Sequence, residues 1–224
     1  MHTDLAELTE IILNGKAAGR IHCDPRLIPA PGQYLMAHAV QGLDAPLATS
    51  LFSAGACPGG FYFAPPLPPG WFPGTQLHIR GPLGKGFQFP TTARFVALVA
   101  CKGSASRLLP LAEQALAQQA AVVLLTDAHV DGLPAAMEVS PLSALAEITH
   151  WADFLALDLS RDQLPSVMES INTASYSGQG QVLVETPIPC GGMGDCGICA
   201  IPVKQGYKLA CKDGPVFDLK NLSK

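Results

Sequence analysis

The sequence predicts a small antiparallel β-barrel, then an α/β layer on a parallel sheet, then a short cysteine-rich module. Three observations predict this. Up to about residue 90, short strand-like runs alternate with Gly- and Pro-rich turns; from Arg94, continuous apolar runs alternate with helical stretches; and four of the seven cysteines fall in the last 35 residues. The expected segments are 1–90, 91–186 and 187–224.

Composition limits what such a chain can do. Apolar residues make up 48% of 224 and charged residues only 14%, below the globular average of about 25%, so whole-chain disorder is excluded. Twenty-two glycines and twenty prolines interrupt too often for a long helical bundle. A net charge of −4 and a pI near 5.8 argue against nucleic acid, which needs a basic face. No signal peptide is visible after Met1-His2-Thr3-Asp4. No apolar run approaches the roughly 20 residues that cross a bilayer. An odd number of cysteines, clustered at one end, does not form a disulfide framework. The expectation is a cytoplasmic chain, where clustered thiols bind metal more often than they pair.

In the first segment the strand candidates are Ala17 to Cys23, Gln33 to Val40 (entered by the turn Pro29-Ala30-Pro31-Gly32) and Leu47 to Ala54. Between Pro58 and Gly70 an aromatic run, Phe61-Tyr62-Phe63, is boxed in by turn formers and reads as loop or edge, because a central strand does not hold those prolines. Gln76 to Arg80 alternates polar and apolar residues, as a half-buried strand does.

In the second segment Phe95 to Ala100, Ala121 to Thr126, Phe154 to Leu159 and Gln181 to Glu185 read as strands, with Glu138-Val139 a shorter one. Helical stretches are expected over Ser106 to Gln119, Pro141 to Thr149 and Arg161 to Asn172. Apolar strands alternating with helices imply a parallel sheet covered on both faces.

The tail carries the chemistry. Cys190, Cys196, Cys199 and Cys211 have the spacing C-x5-C-x2-C-x11-C, within Pro189-Cys190-Gly191-Gly192-Met193-Gly194-Asp195-Cys196-Gly197-Ile198-Cys199-Ala200 and beyond. Four thiolates are what a [2Fe–2S] cluster takes, two for each iron. The glycines allow positive φ and close backbone approach, so that amides point at the sulfurs. A structural zinc is the alternative, although it usually takes paired short knuckles and only Cys196 and Cys199 form one. Three grouped cysteines with one distant follow the plant-type ferredoxin pattern more closely, with a first gap one residue longer.

The Cys/Gly-rich loop and Lys208-Leu209-Ala210-Cys211-Lys212-Asp213-Gly214-Pro215-Val216-Phe217 resemble the C-terminus of the electron-transfer subunit of bacterial dihydroorotate dehydrogenase. Arg80-Gly81-Pro82-Leu83-Gly84-Lys85-Gly86-Phe87 is similar to that family's GPLGxGF turn, and Pro31-Gly32-Gln33-Tyr34-Leu35-Met36 to the PGQF segment of ferredoxin–NADP reductase-like barrels. The resemblance implies a ferredoxin reductase-like two-domain core: an FAD-binding barrel, a nucleotide-binding α/β domain and a terminal iron–sulfur module. It implies that electrons pass between NAD(H), FAD and the cluster and onward to a flavin in a catalytic dehydrogenase subunit, singly through the cluster, within pyrimidine biosynthesis. Cys190, Cys196, Cys199 and Cys211 carry over as ligands, and Thr49, Ser50, Gly81, Pro82, Leu83 and Gly84 as the flavin-binding positions.

The chain departs from that family at two places. Ala45-Pro46-Leu47-Ala48-Thr49-Ser50 stands where the family has an Arg-Pro-x-Ser-like flavin anchor, so the cation is missing while Thr49 and Ser50 still offer hydroxyls. Gly103-Ser104-Ala105-Ser106-Arg107-Leu108-Leu109-Pro110 replaces a GGGxGxxP phosphate loop; one glycine survives and Arg107 stands where the last should allow close approach. These departures weaken the case for NAD(H) and leave FAD open. They also admit a second reading, a degenerate relative serving as a metal-stabilised binding or assembly module. Arg107 itself reads as a solvated residue at a helix start, with an anion site of another kind at that helix N-terminus as the alternative.

The remaining candidates read as structural. The six histidines show no paired spacing, no G-x-S-x-G elbow is present, and Cys23, Cys57 and Cys101 stand apart from the tail cluster.

Overall fold

The computed structural model describes residues 2–14, 16–41, 47–101, 104–171 and 176–222. Six strands close the expected barrel: β1 (His2–Asn14), β2 (Lys16–His22), β3 (Tyr34–Ala39), β4 (Thr49–Cys57), β5 (Gly60–Phe63) and β6 (Gln76–Leu83), in the order β1-β2-β5-β4-β3-β6. Its interior is filled by Leu8, Ile21, Leu35, Leu51, Phe61, Phe63, Leu77 and Ile79, all essentially inaccessible. Closure settles two points that periodicity missed. β1, unassigned from sequence, pairs with both β2 and β6. The aromatic run read as loop or edge is β5, hydrogen-bonded on both sides to β2 and β4; the flanking prolines stand outside its four residues.

The second body is a six-stranded sheet in the order β14-β11-β10-β7-β8-β9. It is built from β7 (Phe95–Ala100), β8 (Ala121–Leu125), β9 (Met137–Ser140), β10 (Phe154–Ser160), β11 (Gln179–Glu185) and β14 (Val216–Asp218). The first five run parallel, so the expected parallel sheet is present. β14 joins antiparallel beside β11 and brings the chain's C-terminal region back onto the sheet. Between β11 and β14 lies a hairpin, β12 (Ala200–Val203) and β13 (Gly206–Leu209).

Helices α1 (Leu109–Ala117), α2 (Leu145–Trp151) and α3 (Leu164–Ile171) cover the sheet. Strand alternation divides its side chains between two cores. Val96, Leu98 and Ala156 face α1 and the barrel residues Tyr34, Met36 and Phe52. Ala97, Val99, Leu155 and Leu157 face the other way, toward α3 and the C-terminal residues Cys199, Ile201, Ala210 and Cys211. Among the described residues no helix is long and apolar enough to cross a membrane.

The helix expected from Ser106 starts instead at Leu109. The Ala105 carbonyl accepts from both the Leu108 and Leu109 amides, at 2.8 and 3.2 Å, which turns the chain tightly before Pro110 enters the first helical turn. Two further expectations, the anchor positions Ala45 and Pro46 and the loop position Gly103, lie outside the described residues, as does Asn172.

Candidate metal centre and its supports

The cysteine loop begins four residues after β11 ends and runs in turns to β12. Cys190 is half-buried, Cys196 exposed, and Cys199 and Cys211 are buried in the core on the far face of the sheet. The hairpin of β12 and β13 brings the last two together, for Cys199 immediately precedes β12 and the Ala210 amide donates to the Cys199 carbonyl at 2.9 Å. The Cys196 thiol acts electrostatically on Cys190, and the Cys199 and Cys190 thiols act on Cys211. Among the described residues no group of three or more His, Cys, Asp or Glu side chains is placed to hold a metal ion.

Electrostatics separates the two ends of this set. Desolvation pushes the Cys190 thiol up, but hydrogen bonds from the Gly194 amide, the Cys196 thiol and the Asp195 and Gly192 amides outweigh it, so the net direction is down. Burial pushes Cys211 up, and the Cys199 and Cys190 thiols add to it. Three backbone amides aimed at one sulfur are the arrangement that a loop around an anionic group requires. Its glycines permit it: Gly192 and Gly194 sit at φ +82° and +84°, the left-handed region that other residues enter at a cost.

The loop is gripped from both bodies. From the barrel, the Arg80 guanidinium donates to the Gly191 carbonyl, and the buried Tyr34 hydroxyl donates to the Cys211 carbonyl at 3.0 Å. From the sheet, Arg161 Nη1 donates to the Ile198 carbonyl at 2.7 Å. The Lys85 amide meets the Gly214 carbonyl at 2.5 Å. Tyr34 and Arg80 lie inside segments singled out by sequence, but neither showed itself as a support; Arg161 carried no signal at all.

The positions expected to bind flavin fall on neighbouring strands. β3 lies between β4 and β6, with Met36 opposite Ser50 and Tyr34 opposite Leu83. Gly81, Pro82 and Leu83 end β6, and Gly84 follows it. Alternation places Ser50 with Phe52 on the outward face of β4, toward the sheet, and Thr49 with Leu51 on the inward face. Part of the turn serves the cysteine module: a Cβ on Gly84 would come within 2.6 Å of the Gly214 carbonyl oxygen.

The expectation for Arg107 is corrected. It is not solvated but 7% exposed. Its Nε and Nη2 donate to the two Asp158 carboxylate oxygens at 2.7 Å each, and Nη1 to Glu185 at 2.5 Å. The guanidinium lies 5.0 Å from the Phe52 ring centroid. The tightened turn before α1 draws this side chain inward over the sheet.

Residues 185–223 match a family described as the iron–sulfur cluster binding domain of dihydroorotate dehydrogenase B. The C-terminal segment is an iron–sulfur cluster binding domain of that type. No curated protein matches the sequence at a significant level. Among solved structures, a NADH-dependent reduced ferredoxin–NADP oxidoreductase superposes with a TM-score of 0.73 at 16% identity, over 99% of this chain and 91% of that one. A ferredoxin reductase in carbazole 1,9a-dioxygenase gives 0.61 at 19% identity, over 78% of this chain and 64% of that one. A ferredoxin–NADP+ reductase from Plasmodium falciparum gives 0.60 at 8% identity, over 81% and 95%. The fold is therefore ferredoxin reductase-like, and the cluster-binding domain is its C-terminal part.

Proposed function

We propose that this chain is an electron-transfer subunit that carries one [2Fe–2S] cluster on Cys190, Cys196, Cys199 and Cys211. The observation that carries the reading is the match of residues 185–223, which contain all four cysteines, to an iron–sulfur cluster binding family, with Cys199 and Cys211 buried side by side across the β12–β13 hairpin. The pairs Cys190–Cys196 and Cys199–Cys211 would each hold one iron, as a two-iron cluster demands. When bound, the cluster supplies reversible one-electron chemistry. The protein orients the thiols through Tyr34, Arg80 and Arg161, shields Cys199 and Cys211 from water, and leaves Cys196 exposed beside Met193 and Ile198. That exposed apolar rim is where a partner would approach closely enough for electron exchange.

The segments 1–90, 91–186 and 187–224 are proposed as barrel, α/β and cluster units, the last tied to the second through β14. The partner is proposed to be a catalytic dehydrogenase subunit, with a dihydroorotate-oxidising one the first to test. FAD is proposed as a second cofactor, held by the Ser50 hydroxyl and the Gly81–Gly84 turn, where it would convert electron pairs to single electrons. Ala45 offers no cation for its pyrophosphate, so copurification of FAD is a separate measurement.

Protein purified without air should show visible charge-transfer absorption and contain about two iron and two sulfide per chain. Colourless protein with one zinc would overturn the reading and leave a metal-stabilised binding module. FAD released by heat and detected by fluorescence tests the second cofactor independently.

A further inference from the structure

In open α/β sheets a dinucleotide lies outside the carboxyl ends of the strands, where the strand order reverses, with its pyrophosphate on a helix N-terminus. Here the reversal falls between β7 and β10, because the chain goes from β7 to β8 on one side and returns to β10 on the other. Asp158 stands opposite Ala100, the last residue of β7, and its carbonyl accepts from the Cys101 amide at 2.9 Å. Glu185 ends β11 next to it. The Arg107 guanidinium fills the space over these strand ends, bonded to both carboxylates and stacked on Phe52 of the barrel.

The helix that should receive a pyrophosphate is also spent. Leu108 and Leu109 donate their amides to Ala105, Pro110 has none to give, and the Leu111 amide goes to the Leu108 carbonyl at 3.0 Å. Leu108, Pro110 and Leu111 are all buried. Among the described residues, the Leu108, Leu109 and Leu111 amides and the Arg107 guanidinium are each committed to the protein's own groups. The Arg107 cation is committed to two carboxylates.

We infer that Arg107 is a specificity-determining plug that closes the dinucleotide crevice, so that electrons enter and leave this chain through protein partners and not through nicotinamide nucleotides. The second half of this statement rests on the electron-transfer reading above; the first half does not.

The test is equilibrium binding to the full-length protein, with iron and sulfide measured on the same sample. Titrated with NADH or NADPH and followed by nicotinamide fluorescence, the wild type should show no saturation up to about 1 mM. In Glu185→Gln, where one negative charge beside the guanidinium is removed, inorganic pyrophosphate should bind roughly tenfold more tightly than to the wild type. Saturable binding of either nucleotide by the wild type overturns the plug. So does a Glu185→Gln protein that melts like the wild type but gains no pyrophosphate affinity, because exclusion would then not come from these charges. A missing cluster with the nucleotide results unchanged would sink the electron-transfer reading and leave the plug standing.

Discussion

The Tyr34 hydroxyl, in the third strand of the barrel, donates to the carbonyl of Cys211, 177 residues later, at 3.0 Å in a buried setting. This one bond ties the barrel to the deepest part of the cysteine module. Burial, with the charge of the Cys211 thiol second, pushes the phenol well above its ordinary range, so the hydroxyl remains a donor throughout neutral and moderately alkaline pH. Tyr34→Phe should keep the fold, leave a buried carbonyl without this donor and cost about 1–3 kcal/mol. Thermal melting should record a loss of several degrees, and the absorption spectrum of the iron-loaded protein should shift. An unchanged melt and spectrum would count against the support role.

Arg107→Ala removes a guanidinium that a fully buried carboxylate depends on, since Asp158 is 0% exposed. Breaking a buried pair in this way costs about 3–5 kcal/mol, and denaturant unfolding should show it. Glu185→Gln should be far milder, because the Glu185 side chain is 34% exposed and water screens its charge. Comparable losses from both variants would mean that the Arg107–Asp158 bond is not the dominant contact.

Gly192→Ala tests the loop geometry. The backbone is left-handed at φ +82°, and an added Cβ would come within 2.9 Å of the Tyr34 hydroxyl oxygen. The substitution should destabilise by roughly 1 kcal/mol or more and lower the iron content of the purified protein. Full iron loading with unaltered stability would show that the loop tolerates displacement.

The cysteines divide into two sets under substitution. Serine at 190, 196, 199 or 211 should abolish or strongly deplete bound iron. Cys23→Ser, Cys57→Ser and Cys101→Ser should keep it, because Cys23 is packed in the barrel and the other two stand outside the loop. Iron analysis of the seven single variants decides this. Loss of iron from Cys57→Ser in a folded protein would contradict the ligand set.

Asp24 offers a titration. The hydrogen bonds from the Arg26 side chain and its backbone amide lower the carboxyl to about 2. A depressed folded value means the stabilisation is present above the unfolded value near 3.9 and is lost as the pH falls through about 2. Carboxyl carbon NMR should place the midpoint there, and Arg26→Ala should raise it toward the ordinary aspartate range. A midpoint near 4 in the wild type would show that the bond is not kept in solution.

Much of the architecture was legible locally. The apolar runs Phe95–Ala100 and Phe154–Leu157 lie in strands because parallel strands are covered on both faces. The cysteine spacing picked out the tail because thiolate chemistry needs those residues close together in sequence. Other parts were not readable. β5 looked like loop because four residues between turn formers carry almost no periodic signal, and only its partners β2 and β4 make it a strand. β14 is three residues long and exists only because β11 offers an edge.

The sequence by itself determined the order of barrel, parallel sheet and cysteine loop, since each follows from local patterning of apolar, turn-forming and thiol residues. The tertiary structure alone decided what becomes of Arg107. A lone arginine before a helix reads as solvated, and nothing nearby in the chain says otherwise. Its fate depends on Asp158 and Glu185, 51 and 78 residues away, which the parallel strands bring to one end of the sheet. Pairing across such distances is set by packing, and a buried charge is tolerated only where packing supplies its counter-charges.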